Sequence, residues 1–180
     1  MKKLLLVPAL LVSFLTSLSA FAVEGVAVID MRTAVLATQV SKATFTALEE
    51  ESEYAGNVEQ AQLLQADRQA IAEKLQKDGE TLSQAEVAQM QKDIQDKGKD
   101  LEFLAGKLQQ AEQETVQQIF AASGPVMQKI IGELINAKQI KVLLSKNPDT
   151  LLFSDPALDL TDDVTSMLDV AASEANTQSE

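Results

Sequence analysis

The chain has 180 residues, a length that allows one domain or one small domain with an extended appendage. It contains no Cys and no His, which removes disulfide frameworks, the common zinc sites and imidazole-based catalysis. Its 27 acidic side chains against 15 basic ones disfavour nucleic acid and anionic lipid surfaces as partners.

Residues 1–22 have the pattern of a secretory signal peptide. Lys2 and Lys3 precede an apolar run from Leu4 to Leu18, and small residues stand at positions 20 and 22, where signal peptidase reads the chain. The run is short for a membrane span, so cleavage is favoured over anchoring. We therefore predict export and a mature chain from Val23, with 13 basic and 27 acidic residues and a net charge of −14.

The mature chain opens with a strand pattern and continues as a long helical stretch. Residues 25–30 form a short β-branched run that predicts a strand. From Met31 to Lys77 the residues favour helix, although Gly56 weakens the middle by about 1 kcal/mol. The first arm, taken from Lys42, has sparse apolar positions: Leu48, Tyr54, Ala61, Leu64, Ile71 and Leu75.

Residues 78–83 predict the tip of a helical hairpin. Gly79 can take the left-handed conformation that ends a helix, so we expect the first arm to stop there. Ser83 and Glu86 have the spacing of a capping box, and Leu82 and Val87 occupy the hydrophobic staple positions. A second helix is predicted to begin at Ser83.

The returning arm carries a heptad repeat. Its apolar residues stand at seven-residue intervals with further apolar residues between them, which predicts a coiled-coil seam against the first arm. From Ser83 to Ala122 this helix would measure roughly 60 Å, so the two arms can lie antiparallel. The seam residues are Val87, Met90, Ile94, Leu101, Leu104, Leu108 and Ala111.

Beyond the arm the sequence predicts a packed body. Gly124-Pro125 indicates a kink or a restart of the helix, and a dense apolar face follows over residues 126–135. Residues 140–145 and 151–154 are predicted to pair as a hairpin of two strands. A helix from Thr161 to about residue 172 and a disordered polar tail over 173–180 complete the chain.

The predicted fold class is α+β, mostly α, with an antiparallel helical hairpin inserted into a small body that contains β-strands. The body comprises residues 23–41 and 123–172, and the arm comprises residues 42–122. Three short strands with open edges are marginal alone, which favours oligomerisation.

Three segments resemble the OmpH/Skp family of periplasmic outer-membrane-protein chaperones. Residues 25–31 are similar to the opening strand of the family, residues 78–86 to the arm tip and residues 152–164 to the closing signature. The resemblance implies a jellyfish-shaped homotrimer whose arms enclose a cavity. It implies an ATP-independent holdase of the Gram-negative periplasm that carries unfolded outer-membrane proteins towards the outer-membrane insertion machinery, without a cofactor, metal or enzymatic activity. The body strands would form the trimer through Val26, Val28, Ile29, Ile140, Val142, Leu144, Leu152 and Phe153.

Client contacts are expected off the seam, at Val58, Leu63 and Phe103. Phe103 is the preferred contact, and the alternative for it is a tertiary contact with the opposite arm. Residues 42–137 hold 9 basic and 17 acidic side chains, so lipopolysaccharide or anionic-lipid binding is disfavoured here. The acidic surface would keep the protein soluble, or would select clients by repelling acidic segments.

Two other function classes are alternatives to the chaperone. A structural coiled-coil spacer or scaffold of the envelope is the main alternative. An envelope hydrolase that uses paired carboxylates is disfavoured, because capping and turn roles explain the candidate acids without a calcium or catalytic site. These acids are Asp30, Asp155, Asp159, Asp162 and Asp163.

Overall fold

The computed structural model describes residues 25–178, so the predicted signal peptide and residues 179–180 lie outside the described residues. The elements in chain order are β1 (Val26–Ile29), α1 (Met31–Leu36), α2 (Gln39–Glu50), α3 (Ser52–Asp78), α4 (Gln84–Ala137), β2 (Val142–Ser145), a 3-10 turn (Pro156–Leu158) and α5 (Thr161–Gln178). The chain is therefore mostly helical with a small sheet, which confirms the predicted α+β class.

The two strands are parallel neighbours. Val26 lies opposite Val142, and Ile29 lies opposite Ser145. On its other side, β1 accepts a hydrogen bond from Leu160 N to Val28 O of 2.8 Å. Strand β1 is therefore enclosed on both sides, whereas β2 has one strand neighbour among the described residues and keeps an open edge.

The predicted strand over residues 151–154 is wrong for this chain, as is its hairpin with β2. The chain turns sharply after β2, where Thr150 N and Leu151 N both donate to Asn147 O at 3.0 and 2.8 Å. The Asn147 side chain closes the same turn by accepting from Asp149 N at 2.9 Å. This turn directs residues 151–154 away from β2, which pairs with β1 instead.

The body is organised around one hydrophobic core. Ile130 and Leu134 from the predicted apolar face are buried in it, and Met127 and Ile131 pack against it. Ile119 also belongs to this core, so the packed region begins before residue 123, where the arm was predicted to end. The buried members are Ile29, Ala34, Val35, Ile119, Ile130, Leu134, Val164 and Leu168.

Helix α4 joins the arm to the body without interruption. It contains 54 residues and so measures about 81 Å, and it passes through Pro125. The alternative of a restarted helix at Pro125 is therefore wrong. Proline removes one backbone donor, but Ile119 and Ile130 on either side of it are held in the same core. Tertiary packing thus maintains the helix across a residue that disfavours it.

The helix predicted from Met31 to Lys77 is interrupted twice. At the first break Thr38 caps α2 by accepting from Ser41 N at 3.2 Å, and the buried Ser41 hydroxyl donates to Val35 O at 2.7 Å. The second break is Glu51, whose ψ of 129° is extended. Four glutamates crowd residues 49–53, and like charges three and four positions apart disfavour a continuous helix. Gly56, the position predicted to be weak, lies inside α3.

The arm tip confirms the capping box and corrects the role of Gly79. Ser83 Oγ accepts from Glu86 N at 3.3 Å, and Glu86 Oε2 accepts from Ser83 N at 2.8 Å. Gly79 is right-handed, with φ −54° and ψ −33°, so the left-handed prediction is wrong. A Cβ at this position would lie 2.5 Å from Leu75 O. Glycine is therefore required here because the Leu75 carbonyl lies close to the backbone, and not because φ is positive.

Helix α5 is longer than predicted and extends through residues 173–178, which were expected to be disordered. No proline or glycine interrupts this segment. Ser173 Oγ donates to Val170 O at 2.7 Å, and Thr177 Oγ1 donates to Ser173 O at 2.9 Å. Both hydroxyls donate to backbone carbonyls of the same helix. Helix α5 therefore continues through this polar segment.

Candidate functional site

The two arms touch along the predicted seam. The seam residues of α4 are buried or half-buried, and Leu104 is the most enclosed of them at 4% exposed. Across from them, α3 buries none of its residues Ser52–Asp78. Its sparse apolar positions are half-buried against α4. The arm is therefore a thin two-helix rod without an interior of its own.

Polar contacts between the arms supplement this seam, and the sequence analysis missed them. Lys97 Nζ lies 2.9 Å from Asp67 Oδ2 across the hairpin. Tyr54 donates a hydrogen bond of 2.9 Å to Glu112 Oε1, and this bond to a carboxylate raises the pKa of Tyr54. The sequence does carry a signal for these contacts. When the two arms are aligned in antiparallel register, complementary polar side chains fall opposite each other beside the heptad seam.

Two of the three predicted client contacts are open to solvent. Leu63 is 61% exposed and Phe103 is 66% exposed, so neither is covered by the opposite arm. Val58 is half-buried, which leaves less of it for a partner. The Lys107 ammonium lies 5.6 Å from the centroid of the Phe103 ring, within cation–π range.

A cleft of about 800 Å³ opens at the root of the arm, where α2 and α3 separate at Glu51. Tyr54 and Lys107 contribute to its wall, together with four carboxylates from both arms. The cleft is thus acidic, and it differs from the apolar pockets that hold small-molecule ligands. The four acidic residues are Glu50, Glu51, Glu53 and Glu114.

The predicted trimerisation residues divide into a buried group and an exposed group. Val28 and Ile29 are 1% and 3% exposed, so the chain's own core already occupies them. Val26 and Ile140 are half-buried. The exposed group is Val142 at 47%, Leu144 at 40%, Leu152 at 96% and Phe153 at 82%. The predicted trimerisation residues that stay exposed therefore lie on β2 and on the segment after its turn.

Two of the acids that are candidates for a calcium or catalytic site, Asp30 and Asp155, serve as caps. Asp30 accepts from Thr33 N at 2.9 Å and from Thr33 Oγ1 at 2.7 Å, and these bonds lower the pKa of Asp30. Asp155 accepts from Ala157 N at 2.9 Å. These contacts confirm the predicted capping roles. Within residues 25–178, no group of three metal-ligating side chains is arranged to hold an ion.

Asp159 joins the two ends of the chain. Its carboxylate accepts from Thr161 N at 3.0 Å and lies 2.6 Å from Lys146 Nζ, while Thr161 Oγ1 accepts from Asp30 N at 3.0 Å. Burial acts to raise the pKa of Asp159, but Lys146 and Thr161 outweigh it and the pKa is lowered. The same ion pair raises the pKa of Lys146. This network also borders a cavity of about 580 Å³ beneath residues 151–154.

A family model described as "Outer membrane protein (OmpH-like)" matches residues 25–168. The chain belongs to the OmpH-like family. The match covers the strand β1, both arms and the first eight residues of α5. It confirms the family resemblance that the three sequence segments indicated.

One solved structure similar to this OmpH-like chain comes from Caulobacter crescentus CB15 and is described as a candidate outer membrane chaperone (OmpH-like). The two are 24% identical, with 82% of this chain and 85% of that chain covered and a TM-score of 0.45. A comparison with curated proteins found no match. Every helix described in this OmpH-like chain is too short or too polar to cross a membrane.

Proposed function

We propose that the protein is an ATP-independent holdase of the periplasm that keeps unfolded outer-membrane proteins from aggregating. Its OmpH-like family membership supports a chaperone role, and the predicted signal peptide supports export. The observation that carries the proposal is a long hairpin without an interior of its own, projecting from a packed body and bearing exposed Leu63 and Phe103. Such a rod offers surface rather than a reaction centre, which favours a binding function over catalysis.

The proposed working unit is a homotrimer assembled through the body. Among residues 25–178, strand β2 has no strand neighbour on one edge, and its Val142 and Leu144 side chains are exposed. Leu152 and Phe153, beyond the turn after β2, are further exposed apolar side chains of the body. Strand addition from a second copy would satisfy the free backbone groups and cover the apolar side chains together. Three copies would place three arms around one cavity.

Retention of a client in this cavity would depend on many weak contacts. A client that stays disordered loses little conformational entropy on binding, so it can bind without a tight interface. It can also leave without nucleotide hydrolysis when a better partner, such as the outer-membrane insertion machinery, competes for it. Because competition alone releases the client, a carrier of this kind needs no cofactor.

The proposal is tested by diluting a urea-denatured β-barrel outer-membrane protein into buffer with the mature protein. Light scattering should stay low at near one trimer per client, and ATP should have no effect. An unchanged aggregation curve would reject the holdase. It would favour the alternative of an envelope spacer, for which the unbroken 54-residue α4 is the supporting feature.

A further inference from the structure

Phe103 has a definite position relative to both helices of the arm. The Lys107 ammonium lies 5.6 Å from the centre of the Phe103 ring, one helical turn away on α4. The same ammonium reaches Glu53 Oε1 on α3 at 3.4 Å. Phe103 therefore lies on the side of the hairpin where Lys107 bridges the two helices.

Leu63 lies on this same side. Asp67 follows Glu53 by two heptads, so the two carboxylates share one side of α3, and Asp67 receives Lys97 from α4 at 2.9 Å. Leu63 precedes Asp67 by four residues, which places the two side chains next to each other on the helix surface. The two most exposed apolar side chains of the hairpin thus project from one side, one from each helix.

Uncompensated carboxylates flank both apolar residues. Glu59 precedes Leu63 by four residues, and Asp100 precedes Phe103 by three, so each acid lies within one turn of its apolar neighbour. Glu59 and Asp100 are exposed, and neither forms an ion pair with any side chain of residues 25–178. The surface therefore combines apolar contact area with free negative charge.

We propose that this surface, the Leu63/Phe103 strip (Glu59, Leu63, Asp100 and Phe103), binds unfolded segments in which an aromatic or aliphatic side chain adjoins Lys or Arg. The inference rests on the proposed holdase function and specifies its client class. The apolar side chains supply contact area, and the two free carboxylates attract the basic neighbours. Acidic segments are repelled by the same carboxylates, which gives selection without a deep pocket.

The test measures binding of the full mature protein to three unstructured fluorescent peptides of equal length by anisotropy. One peptide combines aromatic residues with Lys, one replaces each Lys with Glu, and one keeps the Lys but replaces each aromatic residue with Ser. The first should bind at least about tenfold more tightly than either of the others. Its affinity should fall as salt is added, because exposed charges are screened.

Paired variants assign the binding to the strip. Leu63→Gln/Phe103→Gln should weaken the first peptide by about tenfold. Glu59→Gln/Asp100→Asn should weaken it by about threefold and reduce its salt dependence. Two controls should retain wild-type affinity: Val170→Gln, at a residue 55% exposed on α5, and Glu80→Gln/Glu174→Gln, which removes the same charge elsewhere.

Equal binding of the basic and acidic peptides, or equal losses in the strip variants and their controls, would overturn the inference. The aggregation assay separates this failure from that of the holdase proposal. If the wild type suppresses aggregation and both strip variants match it, the holdase stands and the strip does not. If the wild type itself fails to suppress aggregation, the holdase proposal is the one rejected.

Discussion

The body and the arm are stabilised in different ways. In the body, Ala34, Val35 and Val164 are fully enclosed by residues from both ends of the chain. In the arm, α3 buries none of residues 52–78 and meets α4 along one seam. Because burial of apolar surface supplies most of the stability of a fold, the body must carry most of the stability of this chain. The arm instead presents a large surface with few residues.

Both regions expose apolar side chains, but in different backbone settings. Leu144 stands on a strand that has no neighbouring strand on its outer edge among residues 25–178. Leu63 and Phe103 stand on helices whose backbone groups are already bonded within the helix. An open strand edge favours a lasting, directional partner, whereas an exposed helical side chain offers contact alone. This difference supports our proposal that the body mediates assembly and the arm contacts clients.

The prediction with the largest expected effect tests this division of roles. One Leu and one Phe are replaced by Gln in the body, and the same two changes are made in the arm. Leu152→Gln/Phe153→Gln should shift the mature protein from about three times the subunit mass to a single subunit. The helical content should persist, because these side chains are 96% and 82% exposed and contribute little to the core. Light scattering with circular dichroism measures both quantities.

The matched control is Leu63→Gln/Phe103→Gln, which should leave the mass of the assembly unchanged. A wild type that is already a single subunit would contradict the assignment of assembly to the body. So would a Leu152→Gln/Phe153→Gln variant that stays trimeric, or an arm variant that dissociates.

The second prediction compares one substitution at two levels of α4. Ile130→Ala in the body should reduce the free energy of unfolding by about 2–5 kcal/mol, because Ile130 is 4% exposed and truncation leaves a cavity. Ile94→Ala in the half-buried seam should cost about half as much, because solvent can fill the space. Urea denaturation at fixed protein concentration measures both, and equal losses would contradict the difference between the regions.

Much of the arm could be predicted from the sequence because its signals are local. A capping box requires residues three positions apart, and Ser83 and Glu86 form the predicted bonds. The seam repeats every seven residues, so its buried side follows from helical geometry alone. The exposure of Leu63 and Phe103 follows from the same geometry, since each directly precedes a seam residue.

The incorrect predictions concern features of the fold that depend on contacts between distant parts of the chain. The partner of β2 is β1, more than a hundred residues earlier, and local turn signals could not reveal this parallel pairing. The helix continues through Pro125 because a core assembled from both chain ends holds its flanks. The break at Glu51 adjoins a local run of glutamates, whereas the predicted weak point is Gly56, which lies inside α3.

The third prediction concerns the ion pair that ties residues 146 and 159 within the body. The pKa of Asp159 is lowered on folding, so its carboxylate stabilises the native state above the unfolded value of about 3.8. This contribution is lost as the pH falls through the lower native pKa. Asp159→Asn should therefore cost about 1 kcal/mol at neutral pH, since Lys146 is half exposed, and nothing once Asp159 is protonated.

The measurement is the urea midpoint of wild type and variant as the pH falls from neutral through and below about 3.8. Asp149→Asn, which removes an exposed carboxylate from the same loop, is the control. A gap between wild type and Asp159→Asn that stays constant on acidification would show that the ion pair does not stabilise the body.

The smallest expected effect is confined to the arm tip. Ser83→Ala removes the acceptor for Glu86 N and the 2.7 Å bond from Ser83 Oγ to Glu86 Oε2, so the first turn of α4 should open more often. Amide exchange there should accelerate about fivefold, whereas Gln95→Ala, exposed in the same helix, should leave it unchanged. The urea midpoint should fall by less than it does for Ile94→Ala, because Ser83 is exposed at the tip whereas Ile94 is half-buried in the seam. An equal or larger fall would show that the cap contributes as much to the stability of the arm as the seam does.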